Sequence, residues 1–221
     1  MHGDVSFIEL GTSDTERSRP FFQRVFGWTF TPMAQGGGWF QAPSMKVGLH
    51  GDDTPQMYVF FEVPDLEQAH RFLVDVLGAA HIYTLNGKSS DSDWMRTHLG
   101  VHPRTTIREI RFYRLESGSN LEVFEYESAD GQAPQPRNSD LGGHHLALYV
   151  DDLDAAMAIL RERGVEFMGE PTPSAQEALG QRWVYFTSPW GMQFELVSFP
   201  AGKAYENTAG VKLWHPAHPA Q

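Results

Sequence analysis

The sequence predicts an α+β protein built from a repeated β-α-β-β-β module. Three observations predict it. First, three stretches follow one plan: VSFIELGTSDTERSRPFFQRVFGW from Val5, MYVFFEVPDLEQAHRFLVDVLGA from Met57 and HHLALYVDDLDAAMAILRERGV from His144. Each is a short apolar strand, an acidic helix start, an amphipathic helix and a glycine stop, and self-similarity of this kind marks a repeat architecture. Second, each helix is followed by further strand-like runs. Third, a polar stretch carrying Pro134 and Pro136 separates the last copy from the other two, as a linker does.

The first module is expected over residues 1–55. Its strand runs from Val5, and Ser13 with Glu16 forms a capping pair three residues apart. Phe22, Val25 and Phe26 make the helix apolar on one side. Pro20 falls inside this helix, where its missing N–H and its ring should break a hydrogen bond and kink the axis. Strands follow in WTFTPM, GWFQA and MKVGLH, with Gly36 to Gly38 as a turn.

The middle module is expected over 56–128. Asp65 with Gln68 suits a cap, Leu66, Ala69, Phe72, Leu73 and Val76 form one apolar face, and Gly78 stops the helix. A longer stretch, HIYTLNGKSSDSDWMRTHLGVHPRTT, precedes the strands IREIRFYRL and NLEVFEYE. A linker is expected over 129–142, and the last module over 143–200. There Asp151 or Asp152 caps, Leu153, Ala156 and Leu160 form the stripe, and Gly164 stops it. Strands are expected in VEFMGEP, RWVYFTS and MQFELVSF, with a tight turn at Ser188 to Gly191. Residues 201–221 read as a Pro/His-rich tail.

Composition narrows the function. The chain has 221 residues, a net charge of -11, 41% hydrophobic and 20% charged residues, so it reads as globular and long enough for a sizeable core. No Lys/Arg-rich run stands out, which argues against nucleic acid or an anionic membrane as partner. There is no cysteine, which excludes disulfides, thiolate metal sites and a cysteine nucleophile. The start MHGDVSFIEL lacks the pattern of a signal peptide, and no apolar run approaches the roughly 18 residues that cross a bilayer. A cytoplasmic location is expected. A glycine-rich phosphate loop, a G-x-S-x-G elbow and a dinucleotide fingerprint are absent from the sequence.

Three residues carry the candidate chemistry. In GGHHLALYV, alternation puts Leu146, Leu148 and Val150 toward the helix and His145, Ala147 and Tyr149 on the opposite face. Of the two adjacent histidines, His145 is therefore the candidate, while His144 sits at the ragged strand start. GSNLEVFE and GMQFELVS both read Gly-x-x-x-Glu, as Gly118/Glu122 and Gly191/Glu195. A carboxylate inside an apolar strand is costly unless paired, protonated or bound to a cation. Two such carboxylates and one histidine make oxygen and nitrogen donors for a divalent metal. Each alone reads equally as a surface residue; the repetition in register is what raises the metal reading. His98 and His102 read as polar loop residues, and His215 and His218 as solvated parts of the tail.

These units, with HLALYVDDLDAA, VYFTSPWGMQFELVS and the paired Gly-x-x-x-Glu, resemble the vicinal oxygen chelate superfamily of glyoxalase I, methylmalonyl-CoA epimerase, extradiol dioxygenases and the fosfomycin and bleomycin resistance proteins. Residues 57 to about 214 are similar to a two-module glyoxalase-like protein, and residues 1–50 resemble the opening module of another branch, marked by VFGWTF. The resemblance implies curved mixed sheets around a cup-shaped cavity. It implies a divalent metal (Mn, Fe, Zn, Ni or Co) held by His145, Glu195 and Glu122. The remaining ligand place, on the middle module's first strand, holds Tyr58 where relatives have histidine, and the first module has Phe7 there. His102 or a deprotonated Tyr58 is a candidate to complete the set.

The expected function is that of a glyoxalase-like enzyme. Its metal would chelate vicinal oxygens of a small oxygen-rich or aromatic substrate, Glu122 or Glu195 would move a proton, and Tyr58 would share the site. Isomerase, lyase and ring-cleaving dioxygenase chemistry all use such a cup. One alternative is a metal-free protein of the bleomycin-resistance type that sequesters an aromatic or natural-product ligand. Another is a metal-free lyase or cyclase. Two arrangements stay open: the last two modules pair within the chain, or the first pairs with the middle one and the third completes its site across a homodimer.

Overall fold

The computed structural model describes residues 7–11, 15–32, 38–41, 46–50, 57–89, 94–116, 119–129, 131–213, 215 and 217, with the main chain alone at 7–11, 17, 26, 46–50 and 57. The elements are β1 (Phe7–Gly11), α1 (Thr15–Phe26), β2 (Thr29–Pro32), β3 (Gly38–Gln41), β4 (Lys46–His50), β5 (Met57–Val63), α2 (Leu66–Arg71), β6 (Ala80–Lys88), α3 (Trp94–Leu99), β7 (Thr106–Arg114), β8 (Asn120–Glu127), β9 (His145–Tyr149), α4 (Leu153–Glu162), β10 (Thr172–Pro173), β11 (Arg182–Thr187) and β12 (Gln193–Ser198).

These strands form two mixed sheets. The larger has eight strands in the order β2-β3-β4-β1-β5-β8-β7-β6, and the smaller has four in the order β10-β11-β12-β9. One rule generates both: the first strand of each unit lies parallel beside its last, as β1 beside β4, β5 beside β8 and β9 beside β12. The first two units then join edge to edge. β1 pairs antiparallel with β5, with Ile8 opposite Val59 and Glu9 opposite Tyr58. The third unit stands alone in its sheet.

Burial explains how the smaller sheet is held. Leu66, Ala69, Phe72 and Leu73 of the middle helix share one buried cluster with Leu153, Met157 and Leu160 of α4 and with Val184, Phe186, Phe194 and Leu196 of β11 and β12. The middle and last units thus bury their helical sides against each other. Phe72 is the pivot, with its ring 5.4 Å from Trp190, 5.6 Å from Phe194 and 6.5 Å from Phe186. Arg163, just past α4, donates to the Val76 carbonyl across the same seam. The first unit has its own aromatic cluster, in which the fully buried Phe40 meets Phe22, Trp28 and Phe30.

Local signals behave as their chemistry demands. The Asp65 carboxylate accepts from the N–H groups of Glu67 and Gln68, while Glu125 on β8 takes the Leu66 N–H at 2.9 Å. A first-turn N–H, that of Leu66, is therefore met from another element. Asp152, rather than Asp151, caps α4 through Ala155. Gly78 and Gly164 follow their helices with φ of +78° and +85°, the left-handed turn that a glycine takes without strain. The Ser13 end of the first capping pair lies outside the described residues.

Helix α1 runs from Thr15 to Phe26 with Pro20 inside it. Two expectations need correction. The middle helix changes register after Arg71, and Phe72–Val76 forms a π turn closed by Leu77 N–H to the Phe72 carbonyl. Val76, placed on the apolar face by its spacing, ends only half-buried. In the last unit VEFMGEP makes no strand. Phe167 alone bridges to Phe186, and Thr172–Pro173 pairs with β11 instead. Gly169 at φ +134° and Pro171 break the run.

Candidate active site

The four-stranded sheet sets the geometry. The backbone N–H of Val150 donates to Val197 on β12, and Leu146, Leu148 and Val150 pack against the shared core. His145, Ala147 and Tyr149 point the other way. On β12, Glu195 lies in register with Ala147 on one side and with Tyr185 of β11 on the other. Period two thus delivers His145, Tyr185 and Glu195 to one face.

There the side chains meet. His145 Nε2 lies 2.9 Å from Glu195 Oε2. The His145 side chain is 33% exposed and that of Glu195 11%, so the pair is open to a ligand from the imidazole side. The Tyr185 phenol lies near enough to the Glu195 carboxylate to feel its charge, and the Tyr185 ring meets the imidazole edge-on at 5.1 Å. Burial, and then the Glu195 charge, raise the Tyr185 pKa above its ordinary value, which keeps the phenol a donor. Asn138 from the linker reaches His145 Nδ1 at 3.2 Å and fixes the ring.

The tail closes one side. Lys203 gives its ammonium to Gln181 Oε1 at 3.0 Å and lies over the Phe199 ring. Burial lowers its pKa, and Glu206 and Glu195 oppose that shift. His215, expected as a solvated tail residue, packs on Tyr149 at 4.5 Å and on Phe199 at 4.8 Å. His218 lies outside the described residues. A cavity of about 680 Å³ opens under this segment, lined in part by Lys203, Tyr205, Glu206, Lys212 and His215.

Glu122 and Tyr58 go elsewhere. Glu122 is on β8 of the eight-stranded sheet, opposite Phe60 of β5, and Tyr58 is opposite Asn120. They share the face of that sheet carrying Phe60, Glu62, Phe124 and Tyr126. Burial, then Glu62 and Glu122, push the Tyr126 pKa up. The expected set His145, Glu195 and Glu122 is therefore split between two sheets. His98 ends up exposed on α3, and His102 lies in the loop beyond it. Phe7 is placed by its backbone alone, and Gly118 lies outside the described residues.

The split decides how a metal fits. His145 and Glu195 are of the right kind and close enough to be neighbouring ligands of one ion. Among the described residues, no cluster of three or more His, Cys, Asp or Glu that could hold a metal ion is found. Two donors fall short of the three or four protein ligands that hold a resident ion such as zinc. The described donors His145 and Glu195 alone do not make up such a set.

The model of the Glyoxalase/Bleomycin resistance protein/Dioxygenase superfamily matches residues 57–186. The chain belongs to this superfamily. A model described as bleomycin resistance protein-like N-terminal matches residues 5–38. A relative from Actinomyces sp, named 2-epi-5-epi-valiolone epimerase, is 46% identical over 161 residues, 72% of this chain and 87% of its own. Among solved structures, a glyoxalase family protein from Bacillus cereus has a TM-score of 0.50 at 19% identity, covering 66% of this chain and 95% of its own; that likeness shows the fold. The fosfomycin resistance protein FosX from Listeria monocytogenes, solved with Mn(II) and sulfate, has a TM-score of 0.42 at 18% identity, covering 72% of this chain and 98% of its own. Among the described residues, no helix is long and apolar enough to cross a membrane.

Tyr185 and Lys203 are the residues that sequence reasoning missed. The signal for Tyr185 was present in RWVYFTS, where it has the parity that faces Glu195 once β11 and β12 pair.

Proposed function

We propose that the protein is an epimerase of small hydroxylated ketones, acting by proton transfer at the carbon beside the carbonyl. The observation that carries this reading is the His145–Glu195 pair at 2.9 Å, backed by Tyr185 on the open face of the smaller sheet. The relative's name supports the substrate class, since a valiolone is by its suffix a hydroxy ketone. A C–H bond beside a carbonyl is acidic enough for a positioned carboxylate to attack, and a base held at contact distance contributes roughly 100- to 10,000-fold.

Glu195 is the group to take the proton. It is nearly buried, so little water competes for its oxygens, and His145 stands beside Oε2 to share the charge. The Tyr185 phenol, on the same face and kept protonated by its raised pKa, is the group to donate to the developing enolate oxygen. Asn138 holds the imidazole in place. A divalent ion, where one binds, would polarise the carbonyl; His145 and Glu195 are the donors this chain offers, and the steps above do not pass through it.

The test is proton exchange. In D₂O, with 2-epi-5-epi-valiolone as probe, the protein should yield the epimer carrying deuterium at the inverted carbon, read by NMR. Glu195→Gln and His145→Ala should each lower the rate at least about 100-fold. Tight binding of the ketone with no exchange would instead identify a sequestering protein.

A further inference from the structure

We infer that Lys203 selects the substrate, its ammonium donating to hydroxyl oxygens of the ketone on the side away from the reacting carbon. The inference deepens the reading of His145 and Glu195 as the reacting pair and rests on it.

The tail is built to hold this lysine. The Gly202 carbonyl backs onto Gly180, where a Cβ would lie 2.4 Å from its oxygen, so a glycine is needed for the tail to come this close to the β10–β11 connection. The Ala204 N–H donates to the Leu179 carbonyl, and the Lys203 N–H donates to Glu206 Oε1, both at 2.9 Å. The side chain then runs over the Phe199 ring, with the ammonium 4.0 Å from its centre, and reaches Gln181 Oε1 at 3.0 Å. Gln181 spends its amide nitrogen on the Ser174 hydroxyl at 3.3 Å, which turns its acceptor toward the lysine.

This hold sets the charge over the open face of the smaller sheet. Phe199 continues the parity of Glu195 past the end of β12, and its ring meets that of Tyr149, on the same face, at 4.9 Å. Lys203 also lines the cavity of about 680 Å³ under the tail. Its ammonium feels the Glu195 charge, yet among the described residues it forms no ion pair. Glu206 turns one oxygen to the Lys203 N–H and the other to the Lys212 ammonium at 3.5 Å.

A half-buried ammonium without a carboxylate has given up water for little return. Of its three N–H donors, one goes to Gln181, and no other described residue takes the rest. A neutral acceptor and an aromatic ring thus fix the charge without cancelling it. The remaining donors fit oxygen atoms of a ligand. Because Glu195 and Glu206 already act on this charge, an anionic group meets repulsion that a neutral hydroxyl does not. A small hydroxylated ring then has two ends on this face. Its carbonyl end reacts at Glu195, and its far hydroxyls are recognised by Lys203 through charge-assisted hydrogen bonds.

The experiment compares two ketones on the whole protein. One is 2-epi-5-epi-valiolone; the other is 2-hydroxycyclohexanone, which keeps a hydroxy ketone and lacks the further hydroxyls. Exchange of the α-hydrogen in D₂O, read by NMR, gives kcat and KM for each. Lys203→Met keeps an apolar stem on Phe199 and removes the donors. It should narrow the kcat/KM preference for the polyhydroxylated ketone at least about tenfold, chiefly through KM. Gln181→Glu gives the ammonium a carboxylate to pair with and should narrow the same ratio while the lysine stays, which covers a Met variant that does not fold. A lysine that only props the tail would affect both ketones alike, so an unchanged ratio in both variants overturns the inference and leaves the epimerase reading standing. Calorimetry needs no turnover: the valiolone should bind at least about tenfold more weakly to Lys203→Met. That loss, with a wild type that exchanges no proton, keeps the recognition and removes the proposed function. Inorganic phosphate that displaces the ketone from the wild type would make this an anion site and overturn the assignment to hydroxyls.

Discussion

Phe72→Ala tests whether the middle and last units form one cooperative body. Phe72 is 4% exposed and sits on the π turn of the middle unit, yet three of its ring neighbours, Phe186, Trp190 and Phe194, belong to the last unit. Truncating a buried phenylalanine costs about 3–5 kcal/mol through lost burial and the cavity left behind. Each aromatic pair adds roughly 0.5–1.5 kcal/mol beyond area, so the upper part of that range is expected. Against a typical total of about 5–15 kcal/mol, the loss is large. At about 2–4 °C per kcal/mol for a domain of this size, the melting temperature should fall by roughly 8–20 °C. The assay is urea and thermal unfolding followed by circular dichroism, by Trp fluorescence and by scanning calorimetry. All probes should report the same shifted transition. Two separate transitions, with only one displaced by the substitution, would refute the shared core.

The other predictions are more local. Gly38→Ala should destabilise the first unit by about 1–3 kcal/mol through overpacking, because a Cβ there would lie 2.3 Å from the Thr31 carbonyl oxygen and 2.6 Å from the Phe30 ring; circular dichroism melts check it. His215→Ala should loosen the tail from Tyr149 and Phe199 and speed tryptic cleavage after Lys212, seen by mass spectrometry. Acid should weaken α2. The hydrogen bond from the Gln68 N–H, joined by that of Glu67 and opposed by burial, holds the Asp65 carboxyl below its ordinary value. Its contribution is present above the ordinary Asp pKa near 3.9 and disappears as pH falls through the depressed one. Asp65→Asn should flatten that acid limb in a pH series of melts.

Much of the fold is legible in the sequence because its signals are local. A glycine that must take positive φ, an aspartate three residues ahead of a free N–H, and strict alternation in HLALYV act within a few residues. They place Gly78, Gly164, Asp65 and the face of His145, and narrow the α4 cap to Asp151 or Asp152, without knowledge of the rest of the chain. The π turn at Phe72–Val76 is not local in this sense. It answers the need to fit Phe72 and Leu73 together into a core supplied by residues more than a hundred positions later.

The candidate site divides along the same line. Parity gives Glu122 and Glu195 equivalent places in their own units, and that much is correct for both. Which unit faces which is a matter of strand edges, and edges carry no periodic signal. All three first strands are apolar and of similar length, so the sequence is equally consistent with β5 meeting β9 or β5 meeting β1. The structure takes the second arrangement. Glu122 and Tyr58 stay with the first pair of units, and His145 and Glu195 stay in the smaller sheet, on β9 and β12. The added first unit therefore reaches the chemistry through topology alone. By occupying the edge of β5 it keeps Glu122 and Tyr58 in the larger sheet, while His145 and Glu195 lie in the smaller one.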